Sequence, residues 1–188
     1  MGTTKDFAPA LQVSQWFNTP KPIALEDLRG RVAVLHAFQM LCPGCVSHSI
    51  PQALRLYQLM PKEEVAVIGL HTEFEHHEEM GAASLKAFLH EYRVPYPVGI
   101  DKPVLHGTVP LTMQAYGLRG TPSLVILDQH GRVRLNHFGQ VDDLQLGLLI
   151  GQLLAEARTP ALAVGSAPEL EPGAASCADG HCELGAQA

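Results

Sequence analysis

The tetrapeptide Cys42-Pro43-Gly44-Cys45 constrains this chain more than any other feature. It joins the apolar run Val32-Ala33-Val34-Leu35-His36-Ala37-Phe38 to a helix-like stretch from Val46 to Met60. A strand that hands two cysteines to a helix N-terminus makes a redox site, because the unpaired N–H groups of the first turn and the positive end of the helix dipole stabilise a thiolate. Cys42, the outer thiol, is the expected nucleophile. The i, i+3 spacing brings Cys45 under the same turn, within reach of a mixed disulfide on Cys42, which makes Cys45 the expected resolving thiol. Half of a four-cysteine zinc site is the competing use of such a pair, but the other cysteines, Cys177 and Cys182, lie far away near the C-terminus.

With 188 residues, 46% of them hydrophobic, the chain has material for one ordinary core and not for two. One domain over residues 1–158 is expected, followed by a flexible tail over 159–188, where Ala, Gly, Pro and Glu dominate and periodicity vanishes. A net charge of -6 without any Lys/Arg cluster argues against nucleic acid or an anionic membrane as partner and leaves proteins or small thiols. No apolar leader core stands at the N-terminus, and no run of about 18 apolar residues occurs anywhere, so a cytoplasmic location is expected. Four cysteines in two close pairs do not form the framework of a secreted disulfide-rich domain.

Along the chain, the runs 32–38 and 65–70 read as strands buried on both faces. Helices are expected over 82–92, 111–116 and 144–157, and strands over 96–100, 123–128 and 133–135. Residues 8–31 suggest a short hairpin or a strand ending in a turn, and Pro51 is expected to kink or restart its helix. Asp128-Gln129-His130-Gly131 reads as a turn whose Gly suits a bulged hairpin.

The strand-CPGC-helix unit, Gly120-Thr121-Pro122 just before a strand, the Asp-x-x-Gly hairpin and the closing helix together resemble the thioredoxin superfamily over roughly residues 12–157. The extra helix and strand between 71 and 101 are similar to the insertion of TlpA/ResA-like thiol-disulfide oxidoreductases and of peroxiredoxins. The resemblance implies an α/β fold: a thioredoxin-like mixed sheet flanked by helices on both faces, with an inserted helix-strand unit and a C-terminal tail. It implies a thiol-disulfide oxidoreductase, more a reductase than an oxidase, acting on protein or small-molecule disulfides with a thiol electron donor, without an organic cofactor and with no metal assigned.

The same resemblance implies a cis Pro122 facing the cysteines, with the Thr121 backbone free to pair with a bound strand. Pro43, Gly44, Thr121 and Pro122 are therefore the expected substrate-binding residues. His36, six residues before Cys42, stands where thioredoxin has a buried acid, so it is a candidate acceptor for the Cys45 proton, with a core histidine as the alternative. Glu73 stands where ResA-like proteins place an active-site carboxylate. Three residues depart from the pattern: Leu41 replaces a tryptophan, Gly44 alters the dipeptide that tunes redox potential, and Pro51 follows Cys45 by six residues where five is usual. The last departure points to a local insertion or a different bend.

Two other readings compete. A peroxiredoxin-like peroxidase would need a proline and a threonine where Phe38 and Cys42 stand, with Arg119 as its thiolate-stabilising cation. A metal-binding or sensor module would use the tail motif Cys177-Ala178-Asp179-Gly180-His181-Cys182, whose thiols could instead relay electrons to Cys42 and Cys45. It could also use the loop of His71, His76 and His77 with Glu73, Glu75, Glu78 and Glu79, a run whose ordinary role is solvated charge around a helix start.

Overall fold

Two strands without a polar face organise the molecule. In the computed structural model, which describes residues 7–158, every residue of β2 (Val32–Phe38) and of β3 (Val65–His71) is buried. Strands of this kind are stable only when covered on both faces. They pair in parallel at the centre of a six-stranded sheet. β4 (Val98–Asp101) lies parallel to β3, and β1 (Val13–Phe17) closes that edge antiparallel to β4. On the other side, β5 (Ser123–Leu127) runs antiparallel to β2, and β6 (Val133–Phe138) antiparallel to β5.

The two-residue alternation of β2 divides the core. Val32, Val34 and Phe38 face Ile50, Ala53 and Leu56 of α1 (Ile50–Leu59), Leu85 and Leu89 of α2 (Ala82–Glu91), and Leu146, Ile150 and Leu153 of α4 (Asp143–Arg158). Ala33 and Leu35 face the opposite side, covered by Leu25, Leu28 and Tyr116, the last at the end of α3 (Leu111–Ala115). Helical cover on both faces is the arrangement expected from the sequence, and each large side chain so buried contributes about 1.5–3 kcal/mol.

Three local outcomes sharpen or correct the sequence reading. Of the two forms expected for the N-terminal segment, the strand ending in a turn is the one present: β1 pairs with the distant β4 and makes no hairpin. After it, Leu25–Leu28 winds into a 3-10 turn that buries two leucines spaced i, i+3, while Asp27 Oδ2 accepts the Ala24 N–H at 3.0 Å. The strand expected from Tyr96 begins instead at Val98, because Pro97 has no N–H to donate; its carbonyl still accepts from Gly69 at 2.9 Å. The active-site helix opens at Pro43 and passes through a π-helical turn, Cys45–Ser49, in which the Ile50 N–H reaches back to the Cys45 carbonyl. Pro51 lacks a donor and its ring crowds the carbonyl four residues back, and a π turn absorbs both by admitting one extra residue. That extra residue accounts for the six-residue spacing between Cys45 and Pro51.

The hairpin turn is as read: Gly131 adopts φ 73°, and Asp128 Oδ1 accepts from His130 N and Arg132 N at 2.9 Å each. Among the described residues, no helix is long and apolar enough to cross a membrane.

Gly69 is a sharp test of the packing. A Cβ there would stand 3.1 Å from His36 Nε2, 3.1 Å from Val98 Cγ2 and 3.2 Å from Phe38 Cε1. Gly69→Ala should cost about 1–3 kcal/mol by overpacking, seen as a lower urea midpoint at constant m. A neutral substitution would show that the core around His36 is loosely packed.

Candidate active site

β2 ends at Phe38, and the next residues turn back to start the helix. Cys42 N–H donates to the Gln39 carbonyl at 3.2 Å, and the Cys42 carbonyl accepts from Cys45 N at 3.0 Å and Val46 N at 3.1 Å. Cys42 thus caps the helix, and Pro43 fills the first helical position, where a missing N–H is harmless. Cys42 is half-buried while Cys45 is 0% exposed. The two thiols lie close enough to influence each other's ionisation. Burial pushes the Cys45 thiol up to about 12, and the neighbouring Cys42 sulfur adds to the effect, against weaker opposing contacts from the Gln39 backbone and the Thr121 hydroxyl.

The Thr121–Pro122 bond is cis. The Thr121 carbonyl accepts from Cys42 Sγ at 3.5 Å, and a Cβ on Gly44 would stand 3.4 Å from Pro122 Cδ, so the Pro43-Gly44 turn packs directly on that proline. The fold therefore gathers Cys42, Cys45, Pro43, Gly44, Thr121 and Pro122 in one place.

His36 and Glu73 stand apart from the sulfurs. His36, 1% exposed, stacks on Phe38 at 5.2 Å between ring centroids and meets Tyr96 edge-on, also at 5.2 Å. Neither of its ring nitrogens has a hydrogen-bond partner, and burial pulls the imidazole down to about 3. Glu73 Oε1 lies 3.2 Å from Nδ1 of the fully buried His71, but off the line a hydrogen bond requires, so the contact is an electrostatic approach. Nε2 of His71 faces the Met40 N–H at 3.4 Å. A carboxylate and a buried imidazole thus support the backbone two residues before Cys42.

Two groups near the sulfurs escaped the sequence reading. Gln39, 1% exposed, donates from Nε2 to Glu75 Oε1 at 3.2 Å and approaches Thr121 Oγ1 at 3.5 Å. Phe138 packs over Gly120, where a Cβ would meet its ring at 2.8 Å. Gln39 looks like an ordinary polar residue at a strand end, and β6 gave no hint that its last residue would reach the cysteines. Arg119 stacks on Phe138, its guanidinium carbon 5.5 Å from the ring centroid. The loop carboxylates have separate partners: Glu73 stands against His71 and Glu75 binds Gln39. Among the described residues, no three His, Cys, Asp or Glu side chains converge as a metal ion would require. Cys177, His181 and Cys182 lie outside the described residues.

Comparison with known proteins agrees with this geometry. Residues 4–136 match the AhpC/TSA family. The crystal structure of a thioredoxin-like superfamily protein superposes with a TM-score of 0.77 at 56% identity, covering 79% of this chain and 96% of that one. The thiol-disulfide isomerase of Corynebacterium glutamicum superposes with a TM-score of 0.76 at 47% identity, covering 79% and 97%. Protein DipZ of Mycobacterium bovis is 32% identical over 181 residues, 89% of this chain but 24% of DipZ, so the chain spans about a quarter of that relative. The six-stranded sheet and its helices are the thioredoxin-like fold.

The buried imidazole predicts a pH dependence. His36 takes up its proton near 6.5 when unfolded but only near 3 when folded. Between those values the unfolded chain holds the extra proton, so this residue's contribution falls as the pH drops through that window. His36→Leu should flatten the acid limb of the stability profile by up to about 1.4 kcal/mol per pH unit. Parallel urea-midpoint curves for the two proteins would contradict the assignment.

Proposed function

We propose that this chain, which belongs to the AhpC/TSA family, is a thiol-disulfide oxidoreductase that reduces protein or small-molecule disulfides with Cys42 and Cys45. The observation that supports this best is the inequality of two neighbouring thiols. One is accessible at a helix N-terminus beside the Thr121 carbonyl; the other is wholly buried and held neutral. The similarity to a thiol-disulfide isomerase over nearly all of that protein's length supports the same class.

The Cys42 thiolate attacks one sulfur of a substrate disulfide, forming a mixed disulfide and expelling the other sulfur as a thiolate. Loss of its proton then lets Cys45 attack Cys42 Sγ, which breaks the mixed disulfide and releases the second substrate thiol. Two electrons pass to the substrate, and the Cys42–Cys45 disulfide awaits an external thiol donor. Burial suppresses Cys45 until Cys42 is covalently engaged, so the first attack comes from one sulfur only. The Cys45 proton passes to the expelled substrate thiolate or to water; His36, set between Phe38 and Tyr96 away from the sulfurs and held neutral by burial, serves as a core histidine. Glu73 acts at one remove, through His71 and the Met40 backbone. Pro43, Gly44, Thr121 and Pro122 form the surface on which a substrate strand lies.

Support for the peroxidase alternative is weaker. Phe38 and Cys42 occupy the proline and threonine positions of a peroxidatic motif, and Arg119 is engaged with the Phe138 ring.

Cys45→Ser should accumulate mixed disulfides through Cys42, identified by peptide mapping, whereas Cys42→Ser should lose disulfide reduction entirely. His36→Leu should leave both formation and release of the mixed disulfide unchanged near neutral pH, as expected of a core histidine. Mixed disulfides formed through the buried sulfur, or turnover that survives Cys42→Ser, would refute the scheme.

A further inference from the structure

The thiol chemistry leaves one wall of the site without a task. A groove of about 500 Å³ runs past Cys42, bounded on one side by Gly120, Thr121 and Phe138 and on the other by Phe74, Glu75 and His76. Leu41 is 54% exposed and Phe138 46% exposed beside it, an apolar surface left open next to the nucleophile. The groove offers hydrogen-bond acceptors: the Thr121 carbonyl, 3.5 Å from Cys42 Sγ, and, among the lining residues, the Glu75 carboxylate and the side-chain oxygen of Gln39. Gln39 is the informative one. Its amide nitrogen is committed to Glu75, yet its buried Oε1 has no donor at all. Leaving such an oxygen unpaired costs about 1–3 kcal/mol. His76 is the remaining polar lining residue, and the nearby cation, Arg119, is stacked on Phe138.

A ligand that complements this wall must bring N–H donors and positive charge to Glu75 and Gln39, and an apolar stem to Leu41, Phe74 and Phe138. A lysine or arginine side chain has that construction: methylenes that lie along apolar surface and a cationic head that forms charge-assisted hydrogen bonds. Exposed Glu78 and Glu79 follow on the same loop, so the charge beside the groove has the matching sign. The Thr121 backbone beside the cis proline favours an extended polypeptide, in which residues two apart point to the same side.

We propose that this groove is a subsite for a basic side chain, and that the preferred substrates are polypeptide disulfides with Lys or Arg a few residues from the attacked cysteine. The proposal rests on the thiol-disulfide reading and specifies its substrate class.

The test uses short synthetic peptides with one cysteine held as a mixed disulfide with nitrothiobenzoate, identical except for Lys, Gln or Glu placed at each of the three positions on either side. The full chain should reduce them in the order Lys, Gln, Glu at the best position, with kcat/KM for Lys over Glu about tenfold or more at low salt. That ratio should shrink as ionic strength rises. Glu75→Gln should bring the ratio close to one, while Glu63→Gln, an exposed acid elsewhere on the surface, should leave it intact. The salt dependence of the wild-type ratio needs no variant, so poor folding of a variant cannot obscure the answer. If all three peptides are reduced equally, the subsite is wrong and the oxidoreductase reading stands. If no peptide is turned over, that reading fails and the subsite with it. A preference for cystamine over bis(2-hydroxyethyl) disulfide as large as that for Lys over Glu peptides would assign the groove to small amines and overturn the polypeptide assignment.

Discussion

Everything in this site depends on the burial of one sulfur. Cys45 lies under the first turn of the active-site helix with no exposed surface, against the Cys42 sulfur and within the core that α1, α2 and α4 build on β2. Removing a thiolate from water is unfavourable, so the thiol stays protonated to about 12. Cys42, at the same helix N-terminus but half-buried, keeps its access to solvent and to the Thr121 carbonyl. A pair of chemically identical residues is thereby made unequal, which is what the proposed division into an attacking and a reserved thiol requires. The same burial has a sign for stability: the folded value lies above the unfolded one near 9, so the reduced fold is favoured below about pH 9 and loses that contribution as the pH rises toward 12.

The support for that sulfur comes from elements far apart in the chain. β5 delivers Thr121 and Pro122 to the Cys42 side, and its pairing with β2 fixes where they stand. The end of β3 places His71 behind Met40, and Thr72, which follows it, donates to the buried Asp101 at 3.1 Å, which also accepts the Thr112 and Met113 N–H groups at 2.8 and 2.9 Å. The loop that carries Glu73 and Glu75 is thereby tied to β4 and to the start of α3. A buried, well-partnered frame of this kind holds neighbouring groups in register.

The sequence was legible where local chemistry decides the outcome. The apolar runs of β2 and β3, the CPGC turn and the Asp128–Gly131 turn all express preferences of a few adjacent residues. Pro51 was informative too, since its odd spacing from Cys45 marked the extra residue that the π turn absorbs. The cis bond before Pro122 followed from resemblance alone, because nothing in the local residues demands it. What stayed hidden is non-local. β1 pairs with β4 across most of the domain, and the burial of Gln39 and His71 depends on strands and loops they do not adjoin in sequence. His36 was ambiguous for the same reason: only the fold shows its ring between Phe38 and Tyr96, with Gly69 making room for it.

The central claim is that Cys45 is a buried, neutral thiol while the reduced protein is folded. It is tested most directly by following the Cβ resonance of Cys45 in reduced protein labelled with carbon-13 cysteine, from about pH 6 to about pH 10, a range that spans the titration of an ordinary thiol. The account predicts that this resonance keeps its thiol position throughout. A titration midpoint for Cys45 below about pH 9 would contradict it.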